Sequence, residues 1–301
     1  MNIKNIPNGV IPVMLTPFNE DLSIDYPSLE KLIEWYLSNG AVALFAACQS
    51  SEIMYLDDNE IQNLVKFIVQ KTNGRVPVLA SGHTADSTDE QIKQLQGMVD
   101  AGADGIVLIT NRLGDKNASD EDVINNITHL ANNLPEDTLL GLYECPTPWK
   151  RLLTDKVIQW CVDSGKFGFL KDTCCAEDIL ETRLEITKGT DFKIYNANGP
   201  TLLFSLQHGA AGYSGIMANY FCEPYVWLCK NYDTPEAETV SNALATASLI
   251  EFVSYPVSAK YAQKKMGNFT TTKSRVLDEQ EFFKDANKLV VDQTISLIKN
   301  K

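Results

Sequence analysis

The sequence predicts an α/β fold, a (β/α)8 barrel with a C-terminal helical extension, on three observations. Short apolar, β-rich runs alternate with longer stretches of helical period, the pattern of parallel strands joined by crossover helices. Eight such runs occur, and their starts recur at intervals of roughly thirty residues that shrink toward the end. No glycine-rich G-x-G-x-x-G turn follows the first run, which favours a closed barrel over an open dinucleotide-binding sheet.

In order, the runs are Val10–Leu15, Val42–Ala47, Pro77–Ala80, Gly105–Ile109, Leu139–Glu144, Phe167–Lys171, Phe192–Ala197 and Gly212–Ala218. Between the first two, Leu29, Leu32, Ile33, Tyr36 and Leu37 form an apolar stripe of helical period, and Ile61, Leu64, Val65 and Ile68 form the next. Asp25, Asp57, Ser87, Ser119 and Thr154 precede such stretches, where a side-chain oxygen can accept a free N–H of the first turn. Asn39-Gly40 and Gly102 end helices as left-handed C-terminal residues do. After about Cys222 the strand signal stops, and Pro224–Asn231, Glu236–Phe252, Pro256–Met266 and Glu279–Lys299 read as helices. The expected organisation is therefore a barrel over 1–222 and a helical segment over 223–301 packed on it, available for subunit contacts.

Composition narrows the function classes. With 44% hydrophobic and 22% charged residues in 301, the chain is an ordinary globular sequence able to bury a large core. Its net charge of −13 opposes binding to nucleic acid and to anionic lipid, and it obliges any site for a small acid to supply local donors. The start MNIKNIPNGVIPVMLTPF has no basic stretch followed by a long apolar one, and no run of 18 apolar residues occurs, so a cytoplasmic location is expected. Seven scattered cysteines, none in a C-x-x-C pair, suit a reducing compartment better than a disulfide framework.

Catalytic side chains of such a barrel project from the C-terminal ends of its strands. Lys171 ends the apolar run Phe167-Gly168-Phe169-Leu170, where loss of solvent would favour the neutral amine needed to attack a carbonyl. The plainer reading is a rim lysine paired with Asp172. Tyr143 ends the preceding run, where its phenol can move protons, or simply pack with a satisfied hydroxyl. Together, a lysine and a tyrosine on adjacent strand ends form a nucleophile with its acid/base. Should Tyr143 not carry the proton, Glu144 is the next candidate. Cys48, Cys145 and Cys174 also fall at strand ends, with His83 after the third run. Their spacing is unlike a closed zinc site, so no metal is expected, and His129 and His208 read as structural.

At these residues the sequence resembles the dihydrodipicolinate synthase/N-acetylneuraminate lyase family of class I, Schiff-base aldolases, over most of its length. Gly9-Val10-Ile11-Pro12 through Leu15-Thr16-Pro17-Phe18 is similar to the family's opening strand, and Gly102-Ala103-Asp104-Gly105 to the entry of its fourth. Leu142-Tyr143 with Pro146, and Lys171 placed 28 positions after Tyr143, match the family's tyrosine and Schiff-base lysine in identity and spacing. Gly209-Ala210-Ala211-Gly212, Ala218-Asn219 and Tyr255-Pro256 with Lys260 resemble later segments. The resemblance implies a barrel enzyme in which Lys171 forms an imine with pyruvate or a related 2-oxo acid and Tyr143 is its acid/base. Cys48-Gln49-Ser50-Ser51-Glu52 stands for the family's Gly-Thr-Thr-Gly-Glu loop. It implies that Ser50 and the backbone N–H groups of Ser50 and Ser51 hold the substrate carboxylate. Gln49 replaces the relay hydroxyl, and Ser51 for glycine bears on the loop's backbone. Thr173 is similar to the lyase and sugar-acid branches. Arg112, in Thr110-Asn111-Arg112-Leu113, stands where synthases carry Thr-Pro-Tyr-Tyr. With Ser214 in the eighth run, these residues complete the candidate substrate contacts.

The leading functional reading is a lyase that makes or cleaves a C–C bond beside a Lys171 imine, on a 2-keto-3-deoxy sugar acid or similar substrate, without a cofactor. A dehydratase using the same imine and a non-catalytic 2-oxo-acid-binding protein are the alternatives. Condensation with aspartate semialdehyde is disfavoured, because Pro148 replaces the synthase arginine and Leu113 a relay tyrosine, while Lys150 and Arg151 are displaced. The resemblance also implies a homo-oligomer, most simply a tetramer.

Overall fold

In a computed structural model, described over residues 6–299, the eight runs become eight parallel strands. They are β1 (Gly9–Val10), β2 (Leu44–Ala46), β3 (Val78–Ala80), β4 (Gly105–Ile109), β5 (Leu139–Tyr143), β6 (Phe167–Asp172), β7 (Lys193–Asn196) and β8 (Gly212–Tyr213). Their order in the sheet is β1-β8-β7-β6-β5-β4-β3-β2. Val42 N–H donates to Val10 O, Phe45 N–H to Pro12 O and Met14 N–H to Phe45 O at 2.9–3.0 Å, which brings the two ends of that order together in a TIM-type barrel.

The strands at β1 and β8 are cut shortest, to two residues each, and each has a local reason. Pro12 has no N–H to give, so the ladder of β1 stops at Val10 and resumes only as a single bridge at Val13 to Phe45. Beyond β8, a Cβ at Gly215 would lie 2.2 Å from the Tyr213 hydroxyl and 2.3 Å from Ala197 O, so the backbone turns away there at a contact only glycine permits.

The crossover helices are α1 (Tyr26–Ser38), α2 (Asp58–Thr72), α3 (Thr88–Asp100), α4 (Asp120–Asn132), α5 (Asp155–Ser164), α6 (Glu177–Thr187) and α7 (Leu202–Gln207). The expected caps are in place. Asp25 accepts from Ser28 N–H, Asp57 from Glu60, Ser87 from Glu90, Ser119 from Asp122 and Thr154 from Val157. Gly40 and Gly102 follow helices with φ of +86° and +88°.

The C-terminal helices depart from the sequence expectation in their breaks. Helix α8 (Ala218–Asn231) starts before Pro224 and spans position 222, so one helix joins the barrel to the extension. It bends at Phe221 (φ −136°, ψ 53°) because the Pro224 ring collides with the carbonyl one turn earlier. Helix α9 (Ala237–Ala247) tightens into a 3-10 turn over Ser248–Phe252, and α10 is Val257–Lys265. The last predicted helix is two, α11 (Glu279–Phe282) and α12 (Asp285–Lys299), because Phe283 turns inward against Tyr261 at 5.3 Å. No helix among the described residues is long and apolar enough to cross a membrane, and all seven cysteines are free.

The core beneath the barrel mouth sets the height of the site. In the register of β5 and β6, Gly141 faces Phe169 and Tyr143 faces Lys171. A Cβ at Gly141 would meet the Phe169 ring at 2.1 Å, so the ring fills the barrel where Gly141 leaves room. Tyr143 and Lys171 stand one layer above that floor.

Candidate active site

Successive residues of a strand point to opposite faces, and at the ends of β5 and β6 this separates chemistry from support. Lys171 is 4% exposed, and its Nζ lies 4.1 Å from the centroid of the Tyr143 ring. Burial pulls its pKa down to about 8, against the opposing pull of Cys48, Cys145, Glu144 and Asp172. The pairing with Asp172 that the plainer sequence reading expects is not made. Asp172 and Glu144 point outward to Arg183 of α6, which is itself buried.

Arg183 Nη2 reaches Glu144 Oε1 at 2.8 Å and Leu153 O at 2.8 Å, while Nη1 pairs with Asp172 and donates to Glu144 Oε2 at 3.1 Å. Glu144 also accepts from Leu153 N–H at 2.8 Å and Thr173 N–H at 3.0 Å. Burial pushes the Glu144 pKa up, with Arg183 opposing. Burial likewise works against the Arg183 charge, but the two carboxylates outweigh it and hold the guanidinium above its usual value. Glu144 is thus part of a buried clamp and not a reserve acid/base at the mouth, which corrects that expectation. The clamp fixes both strand ends from behind.

Toward the mouth, the Tyr143 hydroxyl donates to Gln49 Oε1 at 3.3 Å, and Gln49 Nε2 donates to Thr147 Oγ1 at 2.6 Å. The Cys145 thiol also donates to Gln49 Oε1, at 3.6 Å. Burial, with Cys145 and Cys48 beside it, raises the Tyr143 pKa well above its ordinary value, so the phenol is protonated at neutral pH. A carboxamide neither gains nor loses a proton in this range, so Gln49 orients the phenol without relaying its proton.

The loop after β2 folds as a 3-10 turn over Gln49–Ser51. Ser51 is not the strained position: Ala47 and Glu52 take positive φ, +47° and +61°. The Ser51 hydroxyl is committed to Met14 O at 2.7 Å and its N–H to Cys48 O at 3.0 Å. Of the donors expected for a carboxylate, Ser50 Oγ and Ser50 N–H remain. Glu52, in a left-handed conformation that costs a non-glycine residue about 1–2 kcal/mol, is held by Lys260 and by Ser274 Oγ, Arg275 N–H and Val276 N–H at 2.7–3.2 Å.

The remaining predicted residues fall in different places. Thr173 Oγ1 donates to Glu144 O at 2.8 Å, and Lys150 Nζ donates to Thr173 O at 2.8 Å. Ser214 is buried and donates to Ile11 O at 3.0 Å. Arg112 pairs with Asp86 at 2.7 Å and lines a cavity of about 350 Å³ with Asn111, Gln91 and Trp149; Lys171, Tyr143 and Ser50 do not line it. Arg151 stacks on Trp149 at 5.0 Å. His83 is a structural link: Ile109 N–H donates to its Nε2, Gln91 sits 3.2 Å from Nδ1, and burial lowers its pKa to about 4. Among the described residues no group of three or more His, Cys, Asp or Glu is placed to hold a metal.

Sequence reasoning missed Arg183, yet a signal existed. Leu180, Leu184 and Thr187 share its helix face, and a charge on a buried stripe demands buried partners. It also missed Tyr255 as a contact of Ser50, a pair 205 positions apart.

The model of the dihydrodipicolinate synthetase family matches residues 6–276. A 4-hydroxy-tetrahydrodipicolinate synthase from Rhizobium meliloti is 26% identical over 271 residues, covering 86% of this chain and 88% of its own. One from Clostridium perfringens is 25% identical over 292 residues, covering 95% and 97%. Among solved structures, the dihydrodipicolinate synthase of Acinetobacter baumannii complexed with pyruvate superposes with a TM-score of 0.86 at 22% identity, over 98% of this chain and 99% of its own. A prophage protein of the same family from E. coli K12, also in complex with pyruvate, gives 0.86 at 23% identity over 97% and 98%.

Proposed function

The chain belongs to the dihydrodipicolinate synthetase family of lyases, and from that premise we propose that it is a class I aldolase whose Lys171 forms an imine with pyruvate or a related 2-oxo acid. One observation carries the reading: a buried lysine amine, its pKa lowered to about 8, lying 4.1 Å from the ring of a protonated tyrosine. The pyruvate bound in two solved relatives is consistent with it.

In this mechanism neutral Lys171 Nζ adds to the 2-carbonyl carbon. Tyr143 gives its proton to the resulting hydroxyl, which leaves as water, and an iminium remains beside a phenolate. In the cleavage direction the phenolate takes the proton of the substrate's C4 hydroxyl. The C3–C4 bond breaks, its electron pair flows into the iminium to give an enamine, and an aldehyde departs. Protonation at C3 and hydrolysis release pyruvate and the free amine. Ser50 Oγ and Ser50 N–H hold the carboxylate, Gln49 aligns Tyr143, and Thr173 with Lys150 borders the space for the rest of the substrate.

We assign the partner to hydroxylated sugar acids over aspartate semialdehyde. A second carboxylate calls for a fixed guanidinium, and here Pro148 replaces it while Arg151 is stacked on Trp149 and Arg112 is paired with Asp86. Cytoplasmic location and tetrameric assembly complete the proposal. The test is pyruvate with borohydride, which reduces the imine to a stable amine. One label per chain at Lys171, absent in Lys171→Ala, is expected; label elsewhere, or none, overturns the mechanism. Condensation of pyruvate with aspartate semialdehyde at kcat/KM above about 10⁴ M⁻¹s⁻¹ would overturn the substrate assignment. Release of pyruvate plus an aldehyde from 2-keto-3-deoxy sugar acids separates cleavage from dehydration.

A further inference from the structure

The hydroxyl of Ser50 is not free to turn, and the reason lies in the C-terminal extension. Asn219, at the start of α8, donates from Nδ2 to Val13 O at 3.0 Å. A carbonyl only accepts, so this contact fixes which end of the amide is nitrogen. The same Nδ2 donates to the Tyr255 hydroxyl at 3.1 Å, and Asn219 Oδ1 accepts from the buried Tyr36 hydroxyl. Gln263 Nε2 pins the backbone of Asn219 through its carbonyl at 2.7 Å.

These contacts set the sense of the next link. The Tyr255 oxygen receives a hydrogen from Asn219, so its own hydrogen goes to its other neighbour, Ser50 Oγ, at 2.7 Å. Ser50 therefore accepts from Tyr255, and its hydroxyl hydrogen is left to point elsewhere. We propose that Tyr255 is a positioning residue that, by occupying one lone pair of Ser50 Oγ, leaves the Ser50 hydroxyl hydrogen free to donate to a substrate carboxylate at the barrel mouth. A charged carboxylate gains more from that hydrogen than a neutral acceptor does, and a bare N–H gains nothing from it. This rests on the carboxylate subsite proposed above, and it adds a specificity element from outside the barrel.

The experiment measures labelling of Lys171 by borohydride against pyruvate concentration. For Tyr255→Phe the half-saturating concentration is expected to rise about tenfold to a hundredfold, the range for one hydrogen bond to a charged group, with maximal labelling unchanged. Ser50→Ala should raise it at least as much. In the Ser50→Ala background Tyr255→Phe should add less than twofold, because there is no hydroxyl left to orient. Half-saturation by pyruvamide, which offers Ser50 only a neutral carbonyl, should move several-fold less in Tyr255→Phe than half-saturation by pyruvate. The proposal falls if Tyr255→Phe leaves half-saturation by pyruvate unchanged, if maximal labelling drops instead, or if the two substitutions multiply. Should Tyr255→Phe not fold, Tyr255→Met also removes the donor, and an unchanged half-saturation there is equally fatal. If the wild-type protein takes no label at Lys171, the imine reading fails on its own. Calorimetric titration of pyruvate into wild type and Tyr255→Phe then decides the role of Tyr255, equal affinities overturning it.

Discussion

The amine of Lys171 should set the pH dependence of imine formation, and the size of the effect follows from its burial. An ordinary lysine with a pKa of 10.5 is neutral in about one molecule in 3,000 at pH 7, whereas one with a pKa of about 8 is neutral in about one in eleven. Burial under Tyr143 and above Phe169 therefore raises the reactive fraction about 300-fold at neutral pH. Because the neutral form is the nucleophile, the rate of trapping should rise tenfold per pH unit below about 8 and level off above it. Cyanoborohydride trapping under saturating pyruvate, followed by mass spectrometry across the pH range, reads this directly. A rate that keeps climbing through pH 9 toward 10.5 would refute the reasoning, since it would mean that the amine is solvated and that desolvation is not what activates it.

Three other outcomes test the surrounding structure. Tyr143→Phe should lower turnover about 10²–10⁴-fold while half-saturation of imine trapping stays near wild type, and a near-normal rate would send the proton through another group. Arg183→Leu should cost about 3–5 kcal/mol in denaturant unfolding, because it leaves Glu144 and Asp172 buried without their cation. That loss should shrink as pH falls, since a buried unpaired carboxylate has a raised pKa and is neutralised early; a loss independent of pH would mean that packing, not charge, is at stake. Light scattering should find a tetramer at micromolar concentration. Exposed Leu249, Phe252, Leu289 and Val290 on the C-terminal helices supply apolar surface for such contacts, and a monomer alone would contradict the expectation.

What the sequence revealed and what it hid divide by distance along the chain. Helix starts at Asp25, Asp57, Ser87, Ser119 and Thr154 were readable because a cap and its N–H partner lie within three residues. The placement of Lys171 and Tyr143 at adjacent strand ends was readable because the repeat dictates the direction of each apolar run. The breaks at Phe221 and Phe283 depend on packing, although Pro224 announces the first. The Arg183 clamp was half visible, as a charge on an apolar stripe. The contacts of Ser50 with Tyr255 and of Glu52 with Lys260 span more than 200 residues, and no local periodicity encodes them.

Glu52 has a consequence for making chimeras of this protein. Its carboxylate is shared among Lys260, Ser274 Oγ and the backbone N–H groups of Arg275 and Val276, while its neighbour Ser50 is oriented by Tyr255. The loop over 50–52 and the stretch over 255–276 therefore behave as one inherited unit, though most of the barrel lies between them. A single crossover anywhere from 53 to 254 would draw the two halves of that unit from different parents. Double crossovers that exchange only the intervening βα units would keep it whole. In a library of recombinants with a relative, soluble and active clones should retain both segments from the same parent, even when their helices and strands are freely mixed.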